Sequence, residues 1–128
     1  MRIDRIDHLV LTVDDIDRTI AFYVGVLGMS ETTFRSDRKA LTFGTSKINL
    51  HERGREHEPK ARTPTPGSAD LCLIVDEPLA MVVTELTAAG VSVEEGPGER
   101  TGAQGPLISV YIRDPDANLI ELSNYLER

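Results

Sequence analysis

The chain repeats itself, and that limits its folding more than any other feature. Placing His8 over Asp70, an offset of 62 residues, lays HLVLTVDD over DLCLIVDE with matching character at every position. The same offset carries Leu27 onto Ala89, Gly28 onto Gly90 and Ser30 onto Ser92 without a gap. Further along, Ile48-Asn49-Leu50-His51 falls over Ile120-Glu121-Leu122-Ser123, where the offset is 72. The second copy is therefore ten residues longer (72 − 62), and the excess falls around Gly96 to Pro106. Each copy of such a repeat is one supersecondary unit, formed twice and then partnered.

Local signals say what the unit is. Leu9 to Val13 and Leu71 to Val75 are short runs of aliphatic and β-branched residues, which reads as strand. Asp14 or Asp15 suits a helix N-cap, Ile16, Ile20, Tyr23 and Leu27 recur at helical spacing, and Gly28 suits a left-handed end. In the second copy Pro78 suits a first turn, Leu79, Val82, Val83 and Leu86 form the apolar stripe, and Gly90 ends the helix. Further strands are expected at Ser30 to Arg35, Lys39 to Phe43 and Lys47 to His51. Their counterparts are Ser92 to Glu95, Leu107 to Arg113 and Leu119 to Tyr125. Turns are expected at Asp37-Arg38 and Thr45-Ser46, and at DPDAN, Asp114 to Asn118, where proline already holds the required backbone angle. The expectation is an α+β fold of two paired βαβββ modules, residues 1–53 and 69–128, in one domain around a central cavity. Pro59, Pro64, Pro66 and Gly67 make 54–68 a linker.

Composition narrows the partners. A hydrophobic fraction of 40% is that of an ordinary globular protein. No apolar run approaches the ~20 residues of a membrane span, and the polar start MRIDRIDH does not read as a secretory leader. Cys72 is the single cysteine, so no intramolecular disulfide is available. A cytoplasmic location follows as the expectation. The formal net charge of −7 argues against nucleic acid or an anionic membrane as partner. The one basic run, Arg53 to Arg62, is interleaved with Glu56 and Glu58 and preceded by Glu52, which reads as a solvated loop.

Alternation along strands sorts side chains by face. Leu9, Leu11 and Val13 share the face that packs on the helix, as do Leu71, Leu73 and Val75. The opposite faces then carry His8, Val10 and Thr12, and Asp70, Cys72 and Ile74. On the later strands Asn49 and His51, and Glu121 and Ser123, also fall opposite the packed face. Charge gathered on a sheet face has to be wet, paired or bound to metal. Tyr111 and Arg113 alternate with the apolar positions of their strand and could touch a ligand or merely cover the sheet. Cys72 reads as small core filler and His57 as a solvent-exposed linker residue.

At this point the sequence resembles a known family. IDHLVLTVDDIDRTIAFYVGVLGM at the start and YIRDPDANLIELSNY at the end are similar to the vicinal oxygen chelate superfamily, which includes glyoxalase I, extradiol dioxygenases and fosfomycin-resistance proteins. With RTGAQGP, the closing motif looks most like small glyoxalase-domain proteins of unassigned substrate. The resemblance covers nearly the whole chain. It implies βαβββ modules curled around one divalent metal ion, and a homodimer, in some members with modules paired across chains. Carried over residue by residue, the implied ligands are His8, Asp70 (where the family usually has histidine) and Glu121. Asn49 occupies the place of a fourth glyoxalase I ligand, and His51, roughly 6.7 Å further along the strand, could face the substrate. One histidine with two carboxylates is an oxygen-rich set that suits Mn²⁺, Mg²⁺, Ni²⁺ or Zn²⁺ at least as well as Fe²⁺.

The function implied is that of a metal-dependent lyase or isomerase of glyoxalase type acting on a small oxygen-chelating substrate, with dioxygenation as a lesser variant. Glu121, or Asp70, is the expected general base if displaced from the ion, and Asn49, His51, Tyr111 and Arg113 are the expected substrate contacts. The rival reading is a small-molecule binding or resistance protein of the same fold without chemistry. A third is a degenerate module that serves as a dimerisation partner. The bland reading of His8, Asp70 and Glu121 is a hydrogen-bonded cluster with no ion.

Overall fold

The computed structural model describes residues 1–127; Arg128, the last residue of the expected second module, lies outside the described residues. The chain divides into two compact units, Met1–Ser68 and Ala69–Arg128.

Unit 1 runs β1 (His8–Val13), α1 (Ile16–Gly25), β2 (Ser30–Phe34), β3 (Arg38–Phe43) and β4 (Ser46–Glu52). Its sheet has the order β1-β4-β3-β2, with β1 parallel to β4 and the other pairs antiparallel. The parallel pair is possible because the chain crosses over through α1 and a hairpin before β4 returns beside β1. Asp15 caps α1 by accepting from the Arg18 N–H at 3.1 Å, whereas Asp14 pairs with Arg53 at 3.1 Å. Gly28, at φ +72°, releases the chain into β2. The helix buries Thr19, Ile20 and Tyr23 on the sheet, whose packed face supplies Leu11, Val13, Leu41, Ile48 and Leu50. Each such aliphatic or aromatic side chain stabilises by roughly 1.5–3 kcal/mol.

Unit 2 repeats the plan: β5 (Asp70–Ile74), α2 (Leu79–Ala88), β6 (Glu95–Gly102), β7 (Gly105–Arg113) and β8 (Leu119–Tyr125), in the order β5-β8-β7-β6. Here α2 buries Leu79, Val82 and Leu86, and the sheet supplies Val110, Ile112, Ile120 and Leu122. Pro78 precedes α2 and offers no side-chain cap. Asn124 of β8 takes that part: its Oδ1 accepts from the Leu79 N–H at 2.8 Å, and its amide donates to the carbonyls of Val75 (3.1 Å) and Glu77 (2.9 Å).

The fold is α+β, with backbone hydrogen bonds forming two four-stranded mixed sheets. Two details depart from the sequence reading. The extra residues of the second copy are a lengthened hairpin, so β6 begins at Glu95 where Ser92 to Glu95 was expected. The first β-turn is at Arg35-Ser36, both at positive φ, because Phe34 still pairs with Arg38; it precedes the expected Asp37-Arg38.

Residues 114–118 form a clasp. The buried Asp114 accepts from the N–H of Asp116 and of Asn118, both at 2.9 Å, and from the Asn118 side-chain amide at 2.8 Å. Asn118 in turn accepts from the Ala69 N–H at 2.8 Å, and the Leu119 N–H returns to the Ala69 carbonyl at 3.1 Å. This ties the residue just before Asp70 to the start of β8.

Candidate functional site

The face of each sheet turned away from its helix gathers the polar residues. In unit 1, His8 stands beside Lys47, Val10 beside Asn49, and Thr12 beside His51 across the β1–β4 pair. The Nδ1 of His8 lies 2.7 Å from Oδ2 of Asp7, and this bond is the largest cause lowering the Asp7 carboxyl below its usual range. In the neutral tautomer with its proton on Nδ1, which this contact favours, the ring would offer Nε2 to a ligand.

Asn49 is 8% exposed, and its buried Oδ1 has no hydrogen-bond partner among the described residues. His51 is 4% exposed. Burial pushes its imidazole below the ordinary value, and the nearby His57 and Arg38 push it the same way. His57 is half-buried rather than solvent-exposed, its ring edge-on to His51 with centroids 5.4 Å apart. Arg38 and Lys47 both lie over the Phe34 ring, at 5.3 and 4.2 Å from its centroid.

In unit 2 the corresponding face carries Asp70 and Cys72 on β5, Glu121 and Ser123 on β8, and Ser109 and Tyr111 on β7. Cys72 pairs with Glu121, and Glu121 with Tyr111; Ser123 pairs with Ser109. Asp70 is exposed, and so is Cys72, which is not core filler because its face is the one without a helix. The half-buried Glu121 accepts on Oε2 from the Ser109 hydroxyl at 2.6 Å and the Ser123 hydroxyl at 3.4 Å. Among the described residues no basic side chain forms an ion pair with it. The Tyr111 hydroxyl accepts from Nε of Arg100 at 3.2 Å, and burial pushes its phenol up. Arg113 makes a two-pronged pair with Glu94, both contacts at 3.0 Å, and donates to the Ala117 carbonyl at 3.1 Å. Its guanidinium is thus engaged locally.

Of the three expected ligands, Asp70 and Glu121 share one face of unit 2, two residues apart along neighbouring strands, and His8 stands on unit 1. Among the described residues no group of three or more His, Cys, Asp or Glu side chains is gathered so as to hold an ion. Sequence reasoning passed over Asp7, Ser109 and the placement of His57. Ser109 was open to the same alternation rule that selected Tyr111, since two residues separate them. Asp7 and His57 depend on loop geometry, which periodicity does not carry.

Comparison with known proteins places this geometry. Residues 5–122 match the model of the Glyoxalase/Bleomycin resistance protein/Dioxygenase superfamily. The virulence protein STM3117 of Salmonella typhimurium is 63% identical over 126 residues, covering 98% of this chain and 88% of that protein. Its crystal structure superimposes with a TM-score of 0.97, covering 98% of this chain and 100% of that one. The glyoxalase domain-containing protein RDO1 of Mycosarcoma maydis is 55% identical over 120 residues, covering 94% of this chain and 68% of the relative. Lactoylglutathione lyase from Agrobacterium tumefaciens, 24% identical, shares the fold with a TM-score of 0.73, covering 96% and 95% of the two chains.

Proposed function

Because the chain belongs to the Glyoxalase/Bleomycin resistance protein/Dioxygenase superfamily, we propose that it is a divalent-metal-dependent enzyme of glyoxalase type, with His8, Asp70 and Glu121 as ligands. The donor set suits such an ion on two observations. His8 is oriented by Asp7 in the manner of a metal-bound imidazole, with Nε2 left for coordination. Glu121 is a half-buried carboxylate without a cationic partner among the described residues, a charge that a metal ion would balance. One nitrogen and two carboxylates favour Mn²⁺, Mg²⁺, Ni²⁺, Zn²⁺ or Fe²⁺ over softer ions. The proposal includes a homodimer, in which the helix-free faces of two copies meet and complete the ligand set.

When bound, the ion would supply Lewis acidity toward two oxygens of a small substrate. The remaining work falls to the chain. Glu121, or Asp70, would act as general base toward a proton next to the substrate carbonyl if displaced from the ion, the Glu121 carboxylate being held by the Ser109 hydroxyl. Asn49, with an acceptor lacking a partner, would receive a substrate donor. The imidazole of His51, kept neutral by burial, and the Tyr111 hydroxyl would line the substrate, and so would Arg113 if it let go of Glu94.

The Asp7–His8 pair carries this reading most directly. Metal-stripped protein titrated with Mn²⁺ should take up one ion per chain, and His8→Ala should lose that uptake while its thermal melt stays cooperative. Equal Mn²⁺ uptake by His8→Ala would remove the ligand assignment. Turnover of a 2-oxoaldehyde–thiol adduct by the loaded protein separates the enzyme from a non-catalytic binding protein, which would bind without turnover.

A further inference from the structure

Beneath Glu121, unit 2 buries two hydroxyls where a strand would ordinarily place aliphatic side chains. Ser109 and Ser123 are 1% and 0% exposed and face each other across β7 and β8 with their oxygens 2.6 Å apart. Burying a hydroxyl is costly unless it is hydrogen-bonded. The repeat does not demand serine here, since the position equivalent to Ser123 in unit 1 is His51.

The shortest contacts favour one order of the protons in this cluster. An ionised carboxylate only accepts, and each hydroxyl has a single proton to give. The Ser109 hydroxyl therefore gives its proton to Oε2 of Glu121, at 2.6 Å, and receives that of Ser123 on its own oxygen. The longer Ser123–Glu121 approach of 3.4 Å is then a side contact, and the Cys72 sulfur lies 3.4 Å from the Ser123 oxygen. Ser109 thus backs the carboxylate directly and Ser123 backs Ser109, while the Cys72 thiol and the Tyr111 hydroxyl also bond to Glu121, and linked bonds of this kind polarise one another.

We propose that Ser109, backed by Ser123, is a positioning residue for Glu121: the pair holds Oε2 and so restrains the orientation in which the carboxylate would meet a divalent ion. This rests on the reading of Glu121 as a ligand given above. Neither serine touches the ion; both act through the carboxylate, and outer partners of this kind typically alter metal affinity about 10- to 100-fold.

The test is Mn²⁺ affinity of the full-length chain, read from the free-ion electron paramagnetic resonance signal, beside the melting temperature of each variant. Ser109→Ala should bind Mn²⁺ about 10- to 100-fold more weakly, and Ser109→Thr, which keeps the hydroxyl, should restore most of the loss. Ser123→Ala should show a smaller loss in the same direction, and it carries the test if Ser109→Ala does not fold. Wild-type affinity in folded Ser109→Ala, with Glu121→Gln losing the ion, overturns the positioning role and leaves the ligand assignment standing. A wild-type chain that takes up no Mn²⁺ overturns both. A drop in melting temperature alone, with affinity unchanged, identifies the serines as structural filling and also overturns the proposal.

Discussion

Replacing Asn118 with alanine tests the clasp that joins the starts of the parallel strands β5 and β8. Asn118 is 1% exposed and makes two side-chain bonds, donating to Asp114 and accepting from the Ala69 N–H, each at 2.8 Å. A bond to a charged acceptor is worth roughly 1.5–3 kcal/mol, and a part-buried N–H left without its partner costs about 1–3 kcal/mol. The two losses share no donor or acceptor besides the asparagine itself, so the expected destabilisation is about 3–5 kcal/mol. In a urea titration with an m-value of roughly 1.5 kcal/mol/M, the midpoint should fall by about 2–3 M at unchanged m. The Ala69 N–H leads directly into Asp70, so Mn²⁺ affinity should fall as well. A destabilisation under about 1 kcal/mol, with m unchanged, would refute the reasoning: 114–118 would then be an ordinary turn, and the start of β5 would be held by its backbone ladder alone.

Other outcomes follow from the same geometry. If the proposed dimer shares its ligands between chains, unfolding and refolding His8→Ala together with Glu121→Gln should restore about one quarter of the wild-type Mn²⁺ sites, because half of the dimers would be mixed with one of their two sites intact; no recovery would remove the shared-site proposal. Burial holds His51 below its ordinary value, so the unfolded chain takes up the proton first; its contribution is complete above about pH 6.5 and declines as pH falls from there toward the folded-state value. Melting temperatures across that window should fall more steeply for the wild type than for His51→Gln, and parallel curves would exclude His51 as the source. Ala117 sits at φ +66°, a left-handed conformation, and Ala117→Gly should stabilise by about 0.5–1 kcal/mol in the same urea assay; a loss of stability would show that its methyl group contributes packing that outweighs the strain.

The architecture was legible in the sequence because the repeat and the alternation are both properties of the backbone. Leu9 to Val13 and Leu71 to Val75 announce their faces, and the helices announce theirs through Ile20 and Tyr23 and through Val82 and Leu86. β6 was hidden because EGPGERTG carries two glycines and a proline early in its run, which ordinarily argue against a strand. It survives as the outermost strand of its sheet, with a register irregularity between Glu95 and Gly98 that absorbs Pro97. The site was legible in its face, less so in its partners. Alternation placed Asp70, Glu121 and Ser123 on one side, yet it could not tell that Arg113 is taken up by Glu94, or that the imidazole of His57 folds back against His51. Such pairings depend on where loops return, and no periodic pattern records that. Cys72 was misread because small apolar residues are usually interior, whereas its strand lies at the sheet margin with one bare side.

The neighbours of Glu121 along its own strand have an evolutionary consequence. Ile120 and Leu122 are 0% and 2% exposed, locked into the layer beneath α2. The main chain at this position is anchored on both flanks, so natural drift cannot slide it toward a differently sized guest. Descendants of such a chain would have to retune by lengthening, shortening or exchanging side chains above an unmoving floor, which makes this kind of scaffold easy to re-equip and hard to deform.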